Sequence, residues 1–155
     1  MKQHEVKSEK EINGVTFYIR PFPGWTSMEV HGELAASLLP LLAPIAGNNS
    51  EGDVLDIDIS SFTKAMSSLS GKKLVTIFKS LITDHKNISV ETESGVKLLD
   101  NDLSNEIFCG ELQDMFILAW EVIRVNFPSI FEKAGSLFGS QKVTGMITAL
   151  KSTGG

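Results

Sequence analysis

Cysteine is almost absent from this chain of 155 residues, since Cys109 is the only one. No intramolecular disulfide can form, and the sequence gives no sign of an oxidising compartment. A nucleophilic thiol also needs a base within hydrogen-bond reach, and no pattern of that kind surrounds Cys109. The sequence therefore favours an unreactive thiol over a catalytic one at this position.

Clusters of catalytic or metal-binding side chains are lacking as well. The three histidines, His4, His31 and His85, are too far apart to share a ligand spacing. The acidic run Asp53–Asp58 has neither the central glycine nor the terminal glutamate of an EF-hand loop. The segment Gly71–Lys73 lacks the earlier glycine and the hydroxyl of a phosphate-binding loop. We expect no catalytic residue, no bound metal and no cofactor.

Long apolar runs and excess positive charge are also missing. The longest apolar run, Leu38–Ala46, contains two prolines and is far shorter than the ~20 residues that span a bilayer. The first ten residues are polar and lack the apolar centre of a signal peptide. A net charge of −5 argues against a nucleic-acid binder, which needs a basic face. We expect a soluble intracellular protein with no membrane or nucleic-acid partner.

The composition itself is that of an ordinary globular protein, with 42% hydrophobic and 21% charged residues. The length suits one domain that buries roughly 70% of its unfolded surface. We predict a single globular domain over residues 1–139 and a weakly ordered or short helical C-terminal tail over residues 140–155. The apolar residues of that tail are Val143, Met146, Ile147 and Leu150.

Two segments predict β-hairpins. Asn13-Gly14 is a two-residue turn signal between a polar strand over residues 4–12 and a strand that alternates through Val15, Phe17 and Ile19. A second short hairpin is predicted near residues 88–98, with a turn at residues 93–95. An isolated hairpin is only marginally stable in water, so we expect the two to join into one small antiparallel sheet.

Helical periodicity marks about five segments. Thr26–Glu29 matches a capping box ahead of the first, and Pro40 is expected to kink or split that helix. The others are predicted to begin near residues 58–61, at Ser70, at Asp102 and at Glu111. The predicted fold class is therefore α+β: mainly helical, with a small antiparallel sheet.

Two of these segments carry clear apolar faces. Most of the tryptophans and phenylalanines of the chain are expected in the core. The face of the segment after Ser70 consists of Leu74, Val75, Phe78, Leu81 and Ile82. The face of the segment after Glu111 consists of Leu112, Phe116, Ala119 or Trp120, Ile123 and Phe127.

The first helical segment has leucines on all sides around Pro40. Either this helix is central in the core, or one of its sides meets a partner. Both alternatives stay open at this point. If a partner binds here, helix-in-groove recognition would use one apolar stripe. The residues of that stripe are Leu34, Leu38, Leu41, Leu42 and Ile45.

Three parts of the chain resemble the tail assembly chaperones of tailed bacteriophages. The first is Tyr18–Pro23 followed by the leucine-rich helix. The second is a helical stretch that contains a tryptophan, and the third is a short motif with one phenylalanine that precedes the polar end of the sequence. Within the first, the helix contributes Gly32–Ala36 and Leu38–Leu42; the second and third are Ala119–Phe127 and Leu137–Gly139.

The resemblance implies a non-enzymatic protein of the bacterial host cytoplasm. Such proteins bind the tape measure protein, a long helical chain, and keep it soluble until the tail tube protein polymerises around it. Some relatives self-associate, so the resemblance also allows this chain to form a homo-oligomer. The alternative is a structural tail completion or connector protein of the virion, which would also lack chemistry.

Overall fold

The computed structural model describes residues 6–48 and 59–128. Its elements confirm the predicted α+β class, mainly helical with a small antiparallel sheet. In chain order they are β1 Ser8–Ile12, β2 Val15–Ile19, α1 Gly24–Asn48, α2 Ile59–Ser67, α3 Gly71–Ile82, β3 Ile88–Thr92, β4 Gly95–Leu98, α4 Asn101–Ile107 and α5 Leu112–Asn126. The domain limits stay a prediction, and the tail over residues 140–155 lies outside the described residues.

Both predicted hairpins are present and form one sheet in the order β1-β2-β3-β4. Asn13 and Gly14 have φ angles of 51° and 83°, the left-handed values that a tight two-residue hairpin turn needs at both positions. Strands β2 and β3 pair antiparallel, with Phe17 opposite Val90. The two hairpins therefore support each other, as a pair of marginal hairpins should.

The helices cover one face of this sheet. Phe17, Ile19 and Ile88 are buried on that face, at 1% exposure or less. Tyr18 and Val96 belong to the opposite face, because neighbouring residues in a strand point to opposite sides. That outer face is more polar and stays open to solvent. The alternation in β2 is the one its sequence predicts.

Helix α1 corrects its predicted start and excludes one of the two effects expected of Pro40. It begins at Gly24, ahead of the predicted capping box, because the Ser27 N–H donates to the Pro23 carbonyl at 2.7 Å and closes the first turn there. It is also one helix as far as Asn48, so Pro40 does not split it. A proline removes one backbone donor, and the remaining helical hydrogen bonds are enough to continue the helix.

The predicted caps of the later helices are close to the observed ones. Ser70 caps α3, and its Oγ accepts from the Lys73 N–H at 3.3 Å. Helix α4 starts slightly earlier than predicted, because Asp100 is its cap and accepts from the Leu103 N–H at 2.8 Å. Helix α5 ends at Asn126, two residues before Pro128.

Aromatic rings join the helices in the core. The Phe116 ring of α5 meets the Phe78 ring of α3 edge-on, with centroids 5.0 Å apart. Trp120 packs near Phe62 of α2, as predicted for a core aromatic. Trp25 is the exception, because its side chain is 84% exposed. It precedes buried Val30 by five residues, about 140° around the helix, and so lies off the buried stripe of α1.

Candidate partner-binding site

An apolar groove of about 210 Å³ lies between α3, α4 and α5. We call it the α3–α5 groove. Its apolar wall is supplied by two helices that the core brings together at Phe78 and Phe116. The apolar lining residues are Leu74, Val75, Phe78 and Ile82 from α3, and Leu112, Met115 and Phe116 from α5.

Two large apolar side chains line this groove and face solvent. Val75 is 52% exposed and Leu112 is 63% exposed. Single exposed apolar residues are normal on protein surfaces. Here, however, two of them lie on the walls of one apolar groove, and exposed apolar residues gathered at one place favour an interaction site.

Local structure explains why both residues are exposed. Helix α3 buries Ile77, Phe78 and Leu81 against the core, and Val75 lies beside that stripe instead of within it. Leu112 is the first residue of α5, directly after the turn that Gly110 makes at a φ of 76°. The sequence places Val75 and Leu112 on the apolar faces of their helices, and the structure shows that the core leaves both side chains exposed.

Polar groups form the remaining edges of the groove. Helix α4 contributes Asn101, Ser104 and Asn105, and α3 contributes Lys79 and Thr83. The Ser104 hydroxyl donates to the Asn101 carbonyl at 3.0 Å. Apolar walls with a polar edge suit an amphipathic helix, whose apolar side chains enter while its polar side chains stay in water.

The stripe proposed from the sequence on α1 has a different environment. Leu34 and Leu38 are 2% and 0% exposed, so the core encloses them. Leu41 is half-buried and packs against the same core. The side chains of Leu42 and Ile45 lie outside the described residues. The described leucines match the core alternative, and partner binding by this stripe stays a prediction.

A second exposed apolar pair lies at the start of α1. Trp25 is 84% exposed and Met28 is 67% exposed. The two are three residues apart, so they share one side of the helix. Sequence reasoning missed this surface, because an aromatic next to a proline-rich turn looks like a core residue.

Glu121 is the one buried carboxylate in the described part of the chain. It accepts from the Ser8 hydroxyl at 3.1 Å and from Arg124 Nη2 at 2.7 Å, which ties α5 to the edge strand β1. Burial alone would raise the pKa of Glu121, but these hydrogen bonds and the charges of Arg124 and Lys10 outweigh it and lower that pKa. Ser8 is 113 residues away in sequence, so no local pattern could predict this contact.

The described residues offer little for catalysis or metal binding. Cys109 is exposed and free. Within residues 6–48 and 59–128, no three histidine, cysteine, aspartate or glutamate side chains come together as a metal site. The lining of the α3–α5 groove has Lys79 as its titratable group. An apolar groove with polar edges is compatible with binding another polypeptide.

Comparison with known proteins agrees with a protein-binding role. A family model for the phage tail assembly chaperone protein, TAC, matches residues 13–139. The chain belongs to this family of phage tail assembly chaperones, which confirms the resemblance. No curated protein and no solved structure matches the chain. Among the described residues, no helix is both long and apolar enough to cross a membrane.

Proposed function

We propose that this chaperone binds the tape measure protein of its phage through the α3–α5 groove. The client contributes an amphipathic helix whose apolar side chains enter between α3 and α5. The observation that carries the proposal is the exposure of Val75 and Leu112 on the two apolar walls of one groove. Binding of this kind needs no bond to be made or broken, so we expect a non-enzymatic protein.

The two exposed side chains provide a measurable part of the binding energy. Fully burying a valine or leucine side chain contributes about 1.5–3 kcal/mol, and roughly half of each side chain is still exposed here. Covering both therefore contributes roughly 2–3 kcal/mol. Loss of that contribution lowers affinity by a factor of roughly 30 or more.

The other partners follow from the same role. A bound tape measure protein has to pass to the tail tube protein, so both are proposed partners, in the cytoplasm of the bacterial host. The net charge of −5 favours encounter with a basic client segment. Self-association and a contribution from Leu41, Leu42 and Ile45 of the α1 stripe stay predictions.

Paired substitutions test the groove. The chain is co-produced with the tape measure protein as wild type, as Val75→Glu/Leu112→Glu and as Val96→Glu/Leu98→Glu. The second pair changes the same residue types at similar exposure, 58% and 42%, on β4 outside the groove. We expect the groove variant to leave the client insoluble and to lose co-purification. The β4 variant should behave as wild type.

Two outcomes would contradict the proposal. Equal loss of binding in both variants would mean that added charge, and not the groove, is responsible. An insoluble client beside the wild-type chain would mean that the tape measure protein is not the client. Mass spectrometry of purified particles tests the alternative, because a structural tail completion or connector protein would be present in stoichiometric amount.

A further inference from the structure

The last sixteen residues of the sequence contain a group of apolar residues at helical spacing. Residues 140–155 contain four large apolar residues spaced three, one and three positions apart. On a helix this spacing places all four on one side. They are Val143, Met146, Ile147 and Leu150.

We propose that this segment occupies the α3–α5 groove of its own chain until a client displaces it. The regulatory part of the inference rests on the proposed function, because it assumes that clients use the same groove. The docking part does not depend on the client. It concerns two surfaces of one chain, the segment 140–155 and the exposed apolar walls at Val75 and Leu112.

The chain is long enough for this contact. Helix α5 runs from Leu112 in the groove to Asn126, a length of about 22 Å at 1.5 Å per residue. The 15 residues that follow Pro128, as far as Val143, reach roughly 50 Å when extended. Even as a helix they would cover about 22 Å. The chain can therefore return along α5 and bring the segment to the groove.

Charge favours the same arrangement. The segment 140–155 carries two lysines, Lys142 and Lys151, and no aspartate or glutamate. Asp102 and Glu106 lie on α4, which lines one edge of the groove, and Glu111 directly precedes Leu112. None of these three carboxylates forms an ion pair with another described residue.

The segment would therefore have its apolar side chains against α3 and α5 and its lysines towards α4. Lys79 on α3 supports this orientation, because it is a cation on the opposite wall and would repel the lysines. A client can bind only those chains in which the groove is free. Its apparent affinity is therefore the intrinsic affinity multiplied by the fraction of such chains.

Disulfide trapping in the full-length chain tests the docking step. In a Cys109→Ser background, Val75→Cys is combined either with Met146→Cys or with Thr148→Cys. Positions 146 and 148 have nearly the same reach but lie about 160° apart around a helix. We expect an intramolecular disulfide to form at least about tenfold faster with Met146→Cys, because a disulfide needs Cα atoms within about 7 Å.

Two results of the trapping experiment would overturn the inference. Equal rates for the two pairs would show that the segment has no preferred side and does not dock. Bonds between chains, seen as dimers on a non-reducing gel, would show that a second copy fills the groove.

Client binding tests the regulatory step separately. Met146→Glu should raise the affinity for the tape measure protein about threefold or more, and Thr148→Glu should leave it unchanged. If the disulfide forms selectively at position 146 but the client binds Val75→Glu/Leu112→Glu as well as wild type, docking of the segment is retained and the proposed function is rejected. If the disulfide forms equally fast at positions 146 and 148 but client binding requires Val75 and Leu112, the proposed function is retained and docking of the segment is rejected.

Discussion

The interior beneath the sheet and the α3–α5 groove share helix α5 but differ in how completely they are closed. In the interior, Val122 and Ile123 of α5 are fully buried. In the groove, Leu112 of the same helix is 63% exposed. The two regions differ in what surrounds α5. The helix contacts β1, α2 and α3, while its first residue, Leu112, lines an open groove whose other edge is the polar side of α4. Closure depends on the opposing layer more than on the helix itself.

Polar side chains are also enclosed in the interior and exposed in the groove. The interior encloses Glu121 and pairs it with Ser8 and Arg124. In the groove, Asn101, Asn105 and Lys79 lie at the exposed edges, where water can hydrate them. A closed interior contributes stability, and the role we propose for the open apolar groove is binding. The substitutions below separate these two contributions.

The largest expected effect concerns the interior. Leu38→Ala should lower the free energy of unfolding by about 3 kcal/mol, because the side chain is fully buried and its removal leaves a cavity. Leu112→Ala is the matched control and should cost less than about 0.5 kcal/mol. Urea unfolding followed by circular dichroism measures both. Similar losses for the two variants would remove the distinction between interior and groove.

The groove should show the opposite pattern. Val75→Glu/Leu112→Glu is expected to change the free energy of unfolding by less than about 1 kcal/mol, because both side chains already face water. The same variant should lose client affinity by a factor of roughly 30. If the variant unfolds as readily as Leu38→Ala, the groove belongs to the core and the binding result carries no information.

The buried carboxylate of the interior predicts a pH dependence. The pKa of Glu121 is lowered in the folded chain, so its contribution to stability is present above its unfolded pKa, about 4.3. That contribution is lost as the pH falls through the lower folded pKa. The stability of the wild type should therefore decrease more steeply below about pH 4.3 than that of Glu121→Gln. Parallel curves in urea titrations at several pH values would contradict this assignment.

The smallest effect is on the outer face of the sheet. Tyr18 is the only tyrosine of the chain, so its phenol can be titrated by ultraviolet absorbance. Its hydroxyl donates to Glu91 Oε2 at 2.9 Å, and this hydrogen bond raises the pKa of Tyr18. Glu91→Gln should return the midpoint towards the ordinary tyrosine value. An unchanged midpoint would show that the hydrogen bond is not formed in solution.

Local signals were sufficient to predict most of the fold. Asn13-Gly14 defines its hairpin because both positions tolerate positive φ, and Ser70 defines a helix start because its hydroxyl caps the helix. The start of α1 was not predicted correctly in this way, because the Pro23 carbonyl closes the first turn ahead of the capping-box pattern at Thr26–Glu29. The family was predicted from resemblance and not from physical patterns.

The candidate site was not predictable from local patterns. Val75 and Leu112 have the spacing of core residues, and only the packing of α3 against α5 and α4 leaves them exposed. Leu34 and Leu38, which looked like a binding stripe, are enclosed by the core. Hydrophobic periodicity indicates that a residue will avoid water, but it does not say whether this chain or a partner covers it.

Site-specific photocrosslinking in cells that also produce the tape measure protein tests the central claim most directly. A photoreactive amino acid is placed at position 75 or 112 in the groove, or at position 96 on β4 as the control. We predict crosslinks to the tape measure protein from positions 75 and 112 and none from position 96. Crosslinks from position 96 alone, or equally from all three positions, would contradict binding in the α3–α5 groove.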